Sequence, residues 1–437
     1  MKGKWVFDTM VEELHGCFEG LPDYRTGENI QYEIKDAALG AFSVFFAQEA
    51  SFLSYQRKMA EGKGRSNLQN LFRTERVPSD NQIRNLLDPL EPGMLSQVFA
   101  RSLQELEAVG TLDEFRNEAG HLLVSCDGTQ TVSSQKVHCE LCSTRELAND
   151  ETHYFHAAIL PVVVKAGESR VIALEPEFIT PQDGHEKQDC ERAAIKRWVK
   201  RNGDALAKRN CILLGDDLYA CQPICELFLE AGFDFILVCK EDSHEILYQQ
   251  VDFLSKNGLV QEFSTRKWSG RFYRLSQYRF INQVPLRGGE EALAVNWCEI
   301  TITREDTGRR LYKNSFVTNL ELRTDNVALI VQDGRARWKS ENETNNVLKT
   351  KGYHLEHNFG HGIEYLANFL LTLNLLAFLF HTVLDLLDEQ YSTLRKHIVT
   401  RIDFFNDLRA LLRYMLFDDW NQLMRFMLIQ LEIIPDT

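Results

Sequence analysis

Three acids and two groups of soft ligands are the residues best placed to do chemistry. Asp127 closes the apolar run HLLVSCD, and Asp216 closes CILLGD. In α/β sheets, ligands bind outside the carboxyl ends of the strands. Two acids delivered there from one domain suit a hard divalent ion such as Mg²⁺, or Mn²⁺ in its place. Such an ion takes oxygen ligands, commonly one or two carboxylates together with substrate phosphate oxygens. Asp also begins turns for purely local reasons, so each acid has a bland reading as well. Asp217 competes with Asp216, and alternation along a strand lets only one of them reach a given face.

The third acid comes from GRARWKSENETNNVLK, residues 334–349. Read as a helix over 335–349, Arg337, Glu341, Asn345 and Lys349 are each four apart and share one face. Glu343 falls on a different stripe with Lys339, Val347 and Lys351. Glu341, between two cations and an amide, is therefore the catalytic choice, and Glu343 a surface partner of Lys339. Asn is a poor helix former, and its abundance argues against a plain solvated face.

Two further clusters carry ligands. VHCELC groups His138, Cys139 and Cys142, and Cys-x2-Cys is half of a zinc site. The other half would come from His153, His156, His185 or Cys190, with Cys139, Cys142, Cys190 and a histidine as the set to test; buried or free thiols are the alternative. HNFGH sets His357 and His361 four apart beside Glu356. It lacks the internal Glu of His-Glu-x2-His, and Gly360 and Gly362 point to a turn packed by close backbone approach.

The elements that must position these residues follow from texture. The chain has 437 residues, 44% hydrophobic and 26% charged, long enough for a large core and more than one domain. Its net charge of −14 argues against indiscriminate coating of nucleic acid, although local patches decide DNA binding. Such patches exist: residues 256–287 hold seven Lys or Arg against Glu262, and residues 56–76 are mostly basic. Ten scattered cysteines, and a start with no apolar signal-like stretch, predict reduced thiols in a cytoplasmic protein. The apolar run 365–383 holds two Asn, two Thr and a His, and reads as a buried core helix rather than a membrane span.

Residues 1–120 read as helices, with SDNQIRNLL from Ser79 a candidate DNA-contacting helix. Residues 121–255 alternate strands and helices as an α/β domain. Residues 256–318 alternate polar and apolar positions, as an insertion of antiparallel strands does. Residues 319–380 return to helices with the third acid, and 381–437 continue them.

This order of strand-Asp, strand-Asp, β-rich insertion and Arg-Trp-x-x-Glu resembles the DDE transposases of bacterial insertion sequences. The closer resemblance is to the cut-and-paste group whose ribonuclease H-like domain is interrupted by β-strands. The segments CDGTQ, PEFITPQDGHEKQDCE, GDDLYACQP, RARWKSENE and GYHLEHNFGHG carry it, over residues 40–375. The group's third acid lies in Tyr-x2-Arg-x3-Glu-x6-Lys. Here Arg337 and Glu341 fit, the Tyr position is Gly334, and the Lys position is Leu348, with Lys349 one residue later. Asp216 and Tyr219 match the first and last positions of the group's Asp-Arg-Gly-Tyr.

The resemblance implies a ribonuclease H-like α/β core and two-metal phosphoryl transfer on DNA. Asp127, Asp216 and Glu341 would hold ions about 3.5–4 Å apart. Arg337 and Lys349 would hold phosphates. Trp268 and Trp297 of the insertion are candidates to stack an unpaired base. A homodimer on paired element ends is also implied. The alternatives are an inactive, DNA-binding descendant and a metal-dependent hydrolase using His357 and His361.

Overall fold

Short runs of Val, Ile and Leu become the inner strands of a mixed sheet, because strands covered on both faces need no polar side. The computed structural model describes residues 7–27, 30–53, 66–76, 78–147, 151–181 and 190–434. His185 and the basic stretch as far as Arg65 lie outside the described residues. The strands are β1 (Leu122–Ser125), β2 (Gly128–Ser134), β3 (Ser143–Glu146), β4 (Thr152–Ile159), β5 (Val162–Val164), β6 (Ile172–Ala173) and β7 (Glu177–Ile179). They continue as β8 (Cys211–Gly215), β9 (Asp234–Val238), β10 (Gln261–Trp268), β11 (Tyr273–Pro285), β12 (Ala294–Arg304) and β13 (Arg310–Thr318).

Nine strands form one sheet in the order β10-β11-β12-β13-β9-β8-β1-β5-β6. Within it β1, β8 and β9 run parallel, with β5 antiparallel to β1 and β6 antiparallel to β5. Helices Glu191–Ala207 and Gln222–Glu230 connect the parallel strands, as parallel pairing requires. The chain is thus of the α/β class. Strands β10 to β13 form an antiparallel meander, and β13 hydrogen-bonds to β9, so the meander extends the central sheet. A second sheet, β2-β4-β3 with β7 on β4, branches off directly after β1.

The helices at the two ends of the chain share one apolar core. Phe7 stacks on Trp420 with ring centroids 4.4 Å apart, and Phe42 meets Phe380 at 5.1 Å. The helix Leu366–Leu387 is long and apolar enough to cross a membrane, and 83% of its most apolar window is buried inside the fold. Helix Asp80–Leu87, the SDNQIRNLL segment, buries Ile83, Leu86 and Leu87. Its Arg84 Nε donates to Phe359 O at 2.9 Å, tying it to the HNFGH segment.

The single helix expected over 335–349 is instead three pieces. Helix Val327–Arg335 ends, Lys339 and Ser340 donate to Ala336 O and Arg337 O in tight i→i+3 turns, and a π turn spans Ser340–Asn345 before helix Asn346–Thr350. The Asn-rich composition is the physical reason: Asn, Ser and Thr compete with the backbone ladder and give regular helix little support. π turns occur frequently at functional sites.

Candidate carboxylate site and metal centre

Parallel pairing sets the first two acids side by side. Leu122 lies opposite Cys211 and Ser125 opposite Leu214. Carried two residues past the paired positions, the same register would bring Asp127 level with Asp216, each just beyond the end of its strand. Cys126 N–H donates to Leu214 O at 3.0 Å and keeps that register past the strand end. The neighbouring Asp217 is engaged elsewhere: it accepts from Lys240 N–H at 2.6 Å and meets His244 Nε2 at 3.4 Å. Asp216 accepts from Leu218 N–H at 2.9 Å, so it starts a turn and also contributes charge beside Asp127.

The broken helix supplies the third wall. Arg337 Nη1 lies 3.8 Å from Asp127 Oδ1, and Asn345 Nδ2 donates to Asp127 Oδ2 at 3.3 Å. Glu341, between them in sequence, is exposed, and its charge acts on Asp127. Arg337 Nε and Asn345 Oδ1 are both buried without a hydrogen-bond partner. Lys339 pairs with Glu343 at 3.6 Å, as the spacing predicts. Lys349 turns to Glu356 at 2.9 Å, and Leu348 is fully buried. A π turn takes up one residue more than an α turn. At Gly334 a Cβ would lie 2.8 Å from Ile236 Cγ2 and 2.9 Å from the Phe316 ring, so no tyrosine can stand there.

A fourth acid, which the sequence reading did not single out, completes the group. Glu191 opens helix Glu191–Ala207 and accepts from Tyr219 Oη at 2.6 Å and from Gly128 N–H. It comes so close that a Cβ on Gly128 would lie 2.7 Å from Glu191 Cδ. Burial raises Asp127 to about 6; Arg337 opposes this, while Glu191, Asp216 and Glu341 add to it. Burial also raises Glu191, against the Tyr219 hydrogen bond. Burial and the adjacent Glu191 carboxylate push the Tyr219 phenol well above its ordinary range, so Tyr219 remains a donor. Such mutual repulsion among acids at a strand edge is what a bound cation relieves.

The two tryptophans part company. Trp268 is 53% exposed at the end of β10, with its ring 4.8 Å from Tyr273, and Arg266 lies 3.5 Å over that tyrosine. Trp297 is 1% exposed, packed against Tyr248 at 5.9 Å; it is a core residue and not available to stack a base. β12 is covered on both faces here: Val295 to Ile300 are all buried.

A second constellation is fully assembled. Cys139 Sγ, Cys142 Sγ, His156 Nε2 and His361 Nε2 lie within 4.8 Å of one another, and all but Cys139 are buried. This group can hold a metal ion such as zinc. Among the described residues it is the one group of three or more Cys, His, Asp or Glu side chains at mutual ligand spacing. The Cys-x2-Cys half was legible, but two expected partners are not in it. Cys190 is exposed at the start of helix Glu191–Ala207, and His138 stacks on Tyr154 at 4.3 Å. His153 faces Arg145 at 3.4 Å. His357 is exposed against Phe359, apart from His361, so the two do not form a shared site.

The loop carrying His361 is held by backbone capture. Asp88 accepts from the N–H groups of Ile363, Glu364 and Leu366 at 2.9–3.2 Å. Gly362, at φ +72°, lets the chain pass against that carboxylate. Set against known proteins, the chain matches no family model and no curated protein.

Proposed function

We propose that this chain is a DDE-type DNA transposase with a ribonuclease H-like core, acting by metal-dependent phosphoryl transfer. The observation that carries the reading is the convergence on Asp127: Asp216 arrives from the next parallel strand, and Arg337, Glu341 and Asn345 from one broken helix. The run β6-β5-β1-β8-β9, with β5 the antiparallel neighbour of β1, supports the ribonuclease H-like assignment. Among the described residues Asp127, Asp216 and Glu341 do not lie at mutual ligand spacing; Mg²⁺ or Mn²⁺ would have to draw them together, with phosphate and water completing the shell.

Divalent ions bound there would activate the attacking oxygen and stabilise the leaving one. The chain's own residues do the remainder. Asp127, Asp216 and Glu341 supply oxygen ligands. Arg337, whose Nε is buried and unpartnered, grips a phosphate oxygen. Glu191, fixed by Tyr219 and Gly128, adds its charge to the site and raises Asp127. Trp268, Tyr273 and Arg266 at the far end of the meander offer aromatic and cationic contacts to a DNA end. Water attack frees a 3′-hydroxyl at the element end, which then attacks target DNA, in a homodimer on paired ends. The hydrolase reading loses its support, because His361 sits in a four-ligand group with no open position for water.

Strand transfer with the DNA ends flanking its own gene and Mg²⁺ tests the proposal. Asp127→Ala and Glu341→Gln proteins are expected to bind those ends yet neither cleave nor join them. Joining that survives both substitutions overturns the reading, and loss of joining with both proteins folded supports it over an inactive DNA-binding descendant.

A further inference from the structure

We infer that Cys139, Cys142, His156 and His361 hold one structural Zn²⁺, which clamps the loop following Glu341 to the small sheet that begins at Gly128. The ligand atoms already outline the coordination shell. With Zn–S near 2.3 Å and Zn–N near 2.0–2.1 Å, a tetrahedral centre sets S···S at roughly 3.8 Å, S···N at roughly 3.5 Å and N···N at roughly 3.3 Å. Five of the six corresponding separations are 3.9 Å for Cys139–Cys142, 3.4 Å for each cysteine to His156, 3.2 Å for Cys142–His361 and 3.4 Å for His156–His361, and the sixth, Cys139–His361, lies within 4.8 Å. At 3.9 Å the sulfurs are not a disulfide, which needs about 2.05 Å.

The donor chemistry agrees. His156 Nδ1 is 2.9 Å from Asn368 Oδ1, an acceptor that fixes the proton on Nδ1 and leaves the Nε2 lone pair facing the sulfurs. His361 Nδ1 has no partner, and that ring is oriented by its loop, where Asp88 holds the backbone beyond Gly362. Two thiolates and two imidazoles fill a tetrahedron, so the site is closed and stabilises structure rather than activating water.

Its placement gives it a purpose. Cys139 and Cys142 lie between β2 and β3, and β2 starts immediately after Asp127. His361 is 205 residues beyond His156, in the segment whose Glu356 pairs with Lys349. One ion thus ties together the chain leaving the first acid and the chain leaving the third. Closing a long loop is where such a clip gains most. The inference does not depend on what the carboxylate site does.

Elemental analysis of protein purified without chelators or a metal-affinity step tests it, together with Co²⁺ exchange. About one zinc per chain is expected. Exchange into wild-type protein should give the visible bands of tetrahedral Co²⁺ and a thiolate-to-cobalt band in the near ultraviolet. Asn368→Ala should weaken zinc binding about 10–100-fold while the protein stays folded. A Cys139→Ser, Cys142→Ser protein should carry none; if it does not fold, the wild-type Co²⁺ spectrum decides. The proposal is overturned by folded wild type that takes up neither zinc nor cobalt, by zinc retained in the double variant, or by iron or nickel as the native metal.

Discussion

Replacing Tyr219 with Phe isolates the least expected member of the carboxylate group. Tyr219 is buried, and its hydroxyl donates to Glu191 Oε1 at 2.6 Å. Tyr219→Phe removes one donor and leaves the carboxylate with the Gly128 N–H among its named partners. At a pH above its burial-raised folded pKa Glu191 is ionised, so a hydrogen bond to a charged group is lost, about 1.5–3 kcal/mol. At pH 4 the carboxyl is largely neutral in both states, and the loss falls to about 0.5–1.5 kcal/mol.

The sign follows from linkage. Burial raises Glu191 in the folded protein, and the Tyr219 hydrogen bond opposes that rise. Without the bond the folded pKa climbs further, so the folded state holds its proton over a wider span. Stability then falls as pH rises through that span, and falls further in the variant than in the wild type. Urea unfolding at pH 4, 6 and 8 measures this, read by tryptophan fluorescence. Trp198 is a local reporter, buried on the same helix as Glu191. An effect below about 0.5 kcal/mol at pH 8, or one of equal size at every pH, would refute the assignment of Glu191 as a charged, hydrogen-bonded member of the site.

Asp127, held at about 6 by burial, must lose its proton to bind a cation. Mn²⁺ affinity measured by calorimetry should therefore rise by up to about tenfold per pH unit below 6 and level off above it; a flat profile from pH 5 to 7 removes Asp127 from the ligand set. In metal-free protein the same group makes stability fall as pH rises from about 4 through 6, since the folded state binds the extra proton. Trp268→Ala should leave unfolding within about 0.5 kcal/mol of wild type, whereas Trp297→Ala should cost about 3–5 kcal/mol. Equal effects would mean that their burial is misassigned.

What could be read from the sequence was local. An apolar run ended by Asp announces both a strand and an acid at its carboxyl end, so Asp127 and Asp216 were legible, as was the antiparallel texture of β10 to β13. Glu191 was not, because its approach depends on the missing Cβ of Gly128, 63 positions earlier. The run DCE just before an amphipathic helix was its only local signal. For the metal centre, Cys139 and Cys142 declared themselves by spacing, but His361 comes from 219 residues beyond Cys142. Cys190 and His138 were drawn in by closeness in sequence, which does not measure closeness in space. The run 335–349 was read with one helical period throughout, and a π turn has another. Its Asn and Thr residues were the available warning. Trp297 lies on a strand whose two faces are both buried from Val295 to Ile300, which the polar/apolar alternation of the sequence does not announce.

The hydrogen bonds between β13 and β9 have a mechanical consequence. Each strand step in a sheet turns by roughly 20–25°, so the four steps from β9 out to β10 rotate the outermost strand by roughly 80–100°. The ribbon carrying Trp268 and Tyr273 is thereby geared to the strand beside the one that bears Asp216. Torque applied to its tip would pass through backbone ladders that carry register shifts at Ile281/Val284 and Ile302/Thr303. A load on the ribbon would register at the acids as a change of strand twist.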